Sequence, residues 1–269
     1  MKNVLTIAGS DSLSGGGLQA DLRTFKEYGV NALNAVTCIV TVDPKSDKFT
    51  IYDVGQDFLQ EQLETSLNQE ENVDMIKIGM LGNLDIAKQV ASFLQQHPDI
   101  PVILDPVLSL KEEGHTSNEE IVSFFREKLL PLGLVTTPNL KEAELLSGLT
   151  PIDSIEKMKE AARMIQATGV EQVVIKGGQR LPGKWAVDVI YDGQEYVILR
   201  DEKLSNGYNN GAGCTFASSI AAGIALGLTP KEAIVKAKEF VHEAIEYGQP
   251  FLPGLGNVYQ GGKKYTVNK

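Results

Sequence analysis

A run of small residues leads into a cysteine just before an apolar segment in the last third of the chain. The run is Asn209-Asn210-Gly211-Ala212-Gly213-Cys214-Thr215-Phe216. Small residues before a helix leave backbone N–H groups exposed at the positive end of the helix dipole, which predicts an anion site. The same dipole lowers the pKa of a thiol in the first turn, so Cys214 could accept a proton as a thiolate. The alternative is a small buried cysteine that only fills the core.

A second glycine-rich stretch follows the first predicted strand and carries an acid. It runs from Gly9 to Asp21 and contains Asp11 and the triplet Gly15-Gly16-Gly17. Ligands of open α/β sheets bind outside the carboxyl ends of the strands, which is where Asp11 is expected. An acid with nearby hydroxyl groups suits a neutral, hydrogen-bonding substrate better than a phosphate group. The alternative is a flexible turn between a strand and a helix.

The elements that must position these stretches alternate along the chain. Continuous apolar runs are typical of strands buried on both faces of a parallel sheet, and they predict strands at Val4–Ala8, Ala35–Val42, Met75–Gly79, Val102–Asp105, Val135–Pro138 and Val173–Gly177. Helices are expected between them, with starts at 117–120, 153–156 and 229–232, the first and last of these being capping boxes. Residues 186–191 and 196–199, joined through Asp192-Gly193, predict a β-hairpin.

This alternation predicts an open, doubly wound α/β sheet, mostly parallel and flanked by helices, with an antiparallel hairpin at one edge. Since the chain has no repeat or linker, we expect one domain over residues 1–269. The formal charge of −10 and the pI near 4.9 argue against nucleic-acid and anionic-membrane partners. The use of only two cysteines, without a signal peptide or a membrane-spanning apolar run, predicts a cytoplasmic protein.

A series of motifs carries a family resemblance over essentially the whole chain. In order, they are TIAGSD (6–11), GGGLQADL (15–22), KIGML (77–81), LDPV (104–107), TPNLKEAELLSG (137–148), VVIKGG (173–178) and NGAGCTF (210–216). Together they resemble the ribokinase-like superfamily, in its hydroxymethylpyrimidine kinase and pyridoxal kinase branch. Sugar kinases of this superfamily carry an aspartate where Cys214 stands, so the resemblance favours the vitamin-precursor kinases.

The resemblance implies a reaction that moves the γ-phosphate of ATP to the hydroxymethyl group of a small aromatic heterocycle. Such a transfer depends chiefly on positioning and on charge neutralisation. The backbone amides of Gly211, Ala212 and Gly213 would bind the migrating phosphoryl group. Cys214 would replace the aspartate as the catalytic base and take the hydroxyl proton.

The resemblance also implies a nucleotide and metal site formed by polar residues at strand ends. Asn139 and Lys176 would bind ATP together with Gly213, and Lys176 would neutralise phosphate charge. Asp105 and Glu142 would hold Mg²⁺ and its water shell, because Mg²⁺ favours oxygen ligands and retains waters. Glu142 could equally serve as a residue of the first helical turn.

Substrate binding is implied for five residues, namely Asp11, Gly17, Val42, Met80 and Val107. Dedicated pyrimidine kinases tend to carry Glu or Gln where Val42 stands, and an apolar residue there cannot hydrogen-bond an aminopyrimidine. We therefore expect pyridoxal or pyridoxine as the substrate, with a hydroxymethylpyrimidine kinase, or an enzyme for both, as the alternative. A homodimer is expected from the resemblance.

Three departures from the pattern leave a regulator without catalysis as a further alternative. Residues 107–111 lack the second cysteine that some pyridoxal kinases carry on a lid, and residues 45–54 contain no histidine. Asn210 stands where a histidine commonly precedes Gly-Ala-Gly. Cys38 lies in a predicted buried strand and is given no role.

Overall fold

The computed structural model describes residues 1–43, 49–67, 72–108, 119–252 and 255–266. The chain divides into two compact units, one formed by Met1–Gly82 with Leu204–Lys269 and the other by Asn83–Lys203. The expectation that residues 1–269 form a single domain stays a prediction. Within the described ranges, no helix is both long and apolar enough to cross a bilayer.

The first unit builds its main sheet around a buried central strand. Its strands and helices are β1 (Asn3–Asp11), α1 (Gly17–Tyr28), β2 (Asn31–Val42), β3 (Phe49–Asp53), α2 (Gln56–Leu67), β4 (Met75–Ile78), α7 (Ala212–Ala225), α8 (Pro230–Glu246), β10 (Gln249–Leu252), β11 (Leu255–Asn257) and α9 (Gly262–Thr266). The strand order is β3-β2-β1-β4. β1 runs parallel to β2 and to β4, whereas β3 is antiparallel to β2.

The second unit continues the alternation and ends in a hairpin. Its elements are α3 (Leu84–Gln96), β5 (Val102–Leu104), α4 (Glu119–Phe124), β6 (Val135–Thr136), α5 (Leu140–Ser147), α6 (Ile155–Gln166), β7 (Gln172–Lys176), β8 (Trp185–Tyr191) and β9 (Tyr196–Glu202). A π-helical segment at Phe125–Leu129 and a 3₁₀ turn at Leu130–Leu132 follow α4. β5, β6 and β7 are parallel, and β8 and β9 are antiparallel to their neighbours.

These elements confirm the predicted α/β class, the predicted parallel strands and the predicted hairpin. The helix starts were also correct in two places: Ser154 caps α6, and Thr229 and Glu232 form a capping box on α8. Residues 117 and 118 of the other expected capping box lie outside the described residues. The antiparallel strand β3 and the small β10–β11 pair were not predicted.

Helix α7 is the element that carries the glycine–cysteine run into the core. Residues 215–223 of α7 are all buried, so the helix is covered on every face over that length. A helix that is apolar all round belongs in a protein interior. Its first residues remain partly exposed, and the buried body behind them holds this N-terminus in a fixed place.

Candidate active site

The two glycine-rich stretches, from opposite ends of the sequence, meet in the first unit. Gly211 is the N-cap of α7, with φ +85° and ψ −5°. The carbonyl oxygen of Gly15 occupies the place where a side chain on Gly211 would begin. A left-handed backbone and this close approach both require glycine. The contact therefore fixes the start of α7 against the loop that follows β1.

A pair of asparagines supports this contact from the C-terminal segment. Asn210 Nδ2 donates to Asn257 Oδ1 at 2.8 Å, and backbone bonds join Asn210 to Gly256 and Val258. A methyl group on Gly15 would lie only 2.7 Å from Asn257 Oδ1. Asn210, which departs from the family pattern, therefore braces the junction of the two loops.

The backbone amides at the start of α7 differ in whether they donate a hydrogen bond within the protein. Ala212 N–H donates to Asn209 O at 3.2 Å, and Thr215 N–H donates to Gly211 O at 2.9 Å. The amides of Gly211 and Gly213 make no hydrogen bond with any described residue. The geometry thus leaves these two N–H groups available to an anion, whereas the amide of Ala212 already has a partner.

Cys214 lies in the first turn of α7 and is only partly buried, which disfavours the interpretation of a cysteine that only fills the core. Its sulfur and the Asp11 carboxylate flank the same glycine. A methyl group on Gly16 would lie 3.8 Å from Cys214 Sγ and 3.9 Å from Asp11 Oδ2. The structure therefore brings together two residues predicted to contact the substrate.

Asp11 organises the loop in which it lies. Its Oδ1 accepts a hydrogen bond from Leu13 N–H at 2.8 Å, and its Oδ2 accepts from Gly15 N–H at 3.0 Å and Gly16 N–H at 2.9 Å. A carboxylate offers about four acceptor positions. Three are occupied, so Asp11 keeps acceptor capacity for one ligand donor while holding its own loop.

The other predicted substrate residues of this unit line the strand ends and are all partly exposed. Gly17 begins α1, and a side chain there would lie 3.3 Å from the carbonyl carbon of Gly9. Met80 follows β4, with its Cβ 3.6 Å from the place of a side chain on Gly9. Val42 ends β2, two residues past the partner of Asp11 in the β1–β2 register. Cys38 is buried, as expected, and burial raises the pKa of its thiol to about 11.

The second unit gathers its predicted residues at the ends of β5, β6 and β7. Lys176 Nζ lies 3.2 Å from Asp105 Oδ1, and the Thr137 hydroxyl donates to the same oxygen at 3.1 Å. Asn139 caps α5 and forms a reciprocal capping box with Glu142. Lys176 N–H donates to Pro138 O at 2.9 Å, which holds the strand end beside Asn139. Thr137 was not predicted, although it opens the TPNLKEAELLSG motif.

Burial dominates the electrostatics of this cluster. The Glu142 side chain is buried, and burial raises its pKa to about 8, which Lys176 opposes and Asp105 reinforces. The positive charge of Arg180 also opposes the shift. Oxygen donors of this kind fit a hard divalent cation such as Mg²⁺. A cation here would favour the ionised form of Glu142.

The cluster around Asp105 and Glu142 suits a cation that takes its other ligands from water and phosphate. The described part of the chain contains no group of three or more His, Cys, Asp or Glu residues able to enclose a metal ion. Mg²⁺ usually binds proteins through one or two carboxylates and substrate phosphates. Val107, the remaining predicted residue of this unit, is partly exposed two residues after Asp105.

Some sequence features lie outside the described residues. Pro44 is one of them, and the histidine-free segment 45–54 is described only from residue 49. The cysteine-free segment 107–111 is described only up to residue 108.

The buried charges Asp21 and Lys77 were missed as a pair. The signal was present, because a lysine inside the apolar run MIKI must find a buried partner.

Comparisons with known proteins show the family of this chain. The phosphomethylpyrimidine kinase family model matches residues 11–259. Pyridoxine kinase of Bacillus subtilis is 40% identical over 268 residues, covering 99% of this chain and 97% of the relative. Hydroxymethylpyrimidine/phosphomethylpyrimidine kinase of Haemophilus influenzae is 38% identical, covering 96% and 95%.

A solved structure extends the likeness to three dimensions. The ADP complex of Bacillus subtilis pyridoxal kinase superposes with a TM-score of 0.93 and 38% sequence identity, covering 98% of this chain and 99% of that one. The fold therefore agrees over nearly the whole length. The chain belongs to the phosphomethylpyrimidine kinase family, in the pyridoxal kinase and hydroxymethylpyrimidine kinase branch of the ribokinase-like proteins.

Proposed function

We propose that this protein transfers the γ-phosphate of ATP to the hydroxymethyl group of pyridoxal or pyridoxine. The observation that carries the proposal is the first turn of α7. Two amides there have no hydrogen-bond partner among the described residues, and together with a partly exposed thiol they adjoin the Asp11 loop. This is the chemistry a phosphoryl acceptor site requires: donors for the migrating group and a base for the alcohol. Relatives named as pyridoxine kinases support the choice of substrate.

In the proposed step, the alcohol oxygen bonds to the γ-phosphorus while the bond to the bridging oxygen of ADP breaks. The amides of Gly211 and Gly213 stabilise the charge on the transferred phosphoryl oxygens. The hydroxyl proton passes to the sulfur of Cys214, and Asp11 accepts a hydrogen bond from the substrate ring. Gly17, Val42 and Met80 would surround the ring.

The second unit supplies charge neutralisation in this proposal. Asn139 and Lys176 would bind the nucleotide, and Asp105 and Glu142 would hold Mg²⁺ through oxygen atoms and its water shell. Mg²⁺, when bound, neutralises the charge of the phosphates. Val107 is proposed to contact the substrate.

Hydroxymethylpyrimidine kinase activity is the second candidate, favoured by the relative from Haemophilus influenzae. Val42 argues for pyridoxal, because an apolar side chain leaves the amino group of the pyrimidine without a partner. A homodimer and a cytoplasmic location stay predictions.

The test is a side-by-side assay of ADP release with pyridoxal, pyridoxine, hydroxymethylpyrimidine and its monophosphate. We expect the highest kcat/KM with pyridoxal or pyridoxine. Cys214→Ala should lose at least about 100-fold in kcat while its Kd for ATP stays unchanged; Cys38→Ala is the matched control. Preference for the monophosphate would contradict the proposed substrate, and near wild-type turnover of Cys214→Ala would contradict the assignment of the base.

A further inference from the structure

A fully buried charge pair lies in the first unit, and neither of its residues is assigned a role in the reaction. Lys77 Nζ, in β4, donates to the two carboxylate oxygens of Asp21, in α1, at 3.0 and 2.9 Å, and both side chains are 0% exposed. The hydroxyl of Thr6, in β1, donates to Asp21 Oδ2 at 2.7 Å, and that of Ser218, in α7, donates to Oδ1 at 2.6 Å. We call these four residues the Asp21 cluster.

The Asp21 cluster joins two strands and two helices through one carboxylate. Four hydrogen bonds from three side chains fill the acceptor positions of this carboxylate, so its location is fixed by three neighbouring elements. Stability alone gives little reason for such a cluster, because apolar residues of similar volume often replace buried ion pairs without loss of stability. What apolar residues cannot replace is the directional geometry of the hydrogen bonds.

Helical spacing places the cluster directly beneath the proposed reaction site. Asp21 lies four residues after Gly17, the first residue of α1, and Ser218 lies four residues after Cys214 in α7. Residues four apart share a face of a helix, one turn from each other. The bond from Ser218 to Asp21 therefore ties α1 to α7 one turn below the glycine loops.

We propose that the Asp21 cluster positions the first turn of α7 relative to the Asp11 loop, and so sets where the Gly213 amide and the Cys214 sulfur meet the substrate. The inference rests on the proposed function. The side chains of the Asp21 cluster are fully buried, so we assign them as positioning residues and not as groups that contact the substrate. An error of about 1 Å in placing reacting groups can cost about 100-fold in rate, and a displaced α7 would produce such an error.

Two adjacent serines of α7 provide a matched test. The Ser219 hydroxyl is also fully buried, but it donates to Thr215 O within its own helix at 2.7 Å and hydrogen-bonds Tyr28 at the other end of α1. Ser218→Ala and Ser219→Ala each remove one buried hydroxyl from the same helix. We expect Ser218→Ala to lower kcat about tenfold or more, with little change in the KM for ATP. Ser219→Ala should stay within about twofold of wild type in kcat, while its loss in Tm should be similar to that of Ser218→Ala.

A double variant separates positioning from stability. Asp21→Leu with Lys77→Met removes both charges and keeps apolar volume, so we expect a Tm near or above that of the wild type. Its kcat should nevertheless fall about 100-fold. A double variant with the Tm and the kcat of the wild type would overturn the proposal, because the cluster would then serve the fold alone. If the double variant does not fold, the serine pair decides.

The outcomes separate this inference from the proposed function. A wild-type protein that phosphorylates none of the four alcohols contradicts the proposed function. A wild-type protein that is active, with equal kcat losses in Ser218→Ala and Ser219→Ala, contradicts positioning alone. A loss confined to Ser218→Ala and unaccompanied by a larger loss of Tm supports it.

Discussion

Substituting Gly211 by alanine tests whether the contact between the glycine loops governs catalysis. Alanine at φ +85° pays about 1–2 kcal/mol for the left-handed backbone. Its methyl group would also overlap Gly15 O and lie 2.9 Å from the Gly15 carbonyl carbon. Backbone atoms cannot rotate away as side chains do, so one loop must move by about 1 Å, which can cost about 100-fold in kcat/KM.

Gly207 supplies the matched control. Its φ is +71°, and no described atom lies within 4 Å of a methyl group placed on it. Gly207→Ala therefore has a similar backbone cost of about 1–2 kcal/mol without touching Gly15. Urea unfolding and a coupled assay of ADP release with pyridoxal should give a small stability loss and near wild-type kcat/KM for Gly207→Ala. Equal losses of kcat/KM in the two variants would refute the reasoning.

Two further predictions concern the second unit. The unfolded chain releases the Glu142 proton near its ordinary pKa of 4.5 and the folded protein near 8, so folding stability from this group is present below pH 4.5 and is lost as pH rises to about 8. In EDTA, the Tm of the wild type should therefore fall relative to that of Glu142→Gln as pH rises from 5 to 8. The capping-box residue Glu232 is exposed, and hydrogen bonds with Thr229 lower its pKa, so Glu232→Gln should give a flat difference over that range. A flat difference for Glu142→Gln as well would contradict the buried-carboxyl assignment. Lys176→Met should raise the KM for ATP by about tenfold or more, and Lys203→Met, which removes a lysine that donates to backbone carbonyls of the same unit, should not; similar KM values would argue against a nucleotide role for Lys176.

Sequence patterns predicted the buried elements well, because burial on both faces leaves continuous apolar runs. β1 and β7 were visible for this reason. β3 was missed because it is short and all of its residues are exposed or half-exposed, so it leaves no continuous apolar run. β10 was missed because Gln249-Pro250 gives no strand signal.

Local sequence patterns predict only those contacts of the candidate site whose residues are close in sequence. The capping box of Asn139 and Glu142 spans four residues, so its pattern is local. Contacts such as Gly15 with Gly211, or Lys77 with Asp21, join distant parts of the chain. No local propensity specifies them, since they arise when strands and helices pack. The pKa of Glu142 likewise depends on burial that only the fold creates.

The hydrogen bond between Asn210 and Asn257 bears on the order in which the junction of the two loops can form during synthesis. Gly15 leaves the ribosome well before Asn210 and Asn257, yet all three meet in one junction. Chains emerge N-terminal first, so the loop that contains Gly15 stays without its partners while the residues between them are made. A nascent chain therefore cannot assemble this junction before residue 257 has been synthesised.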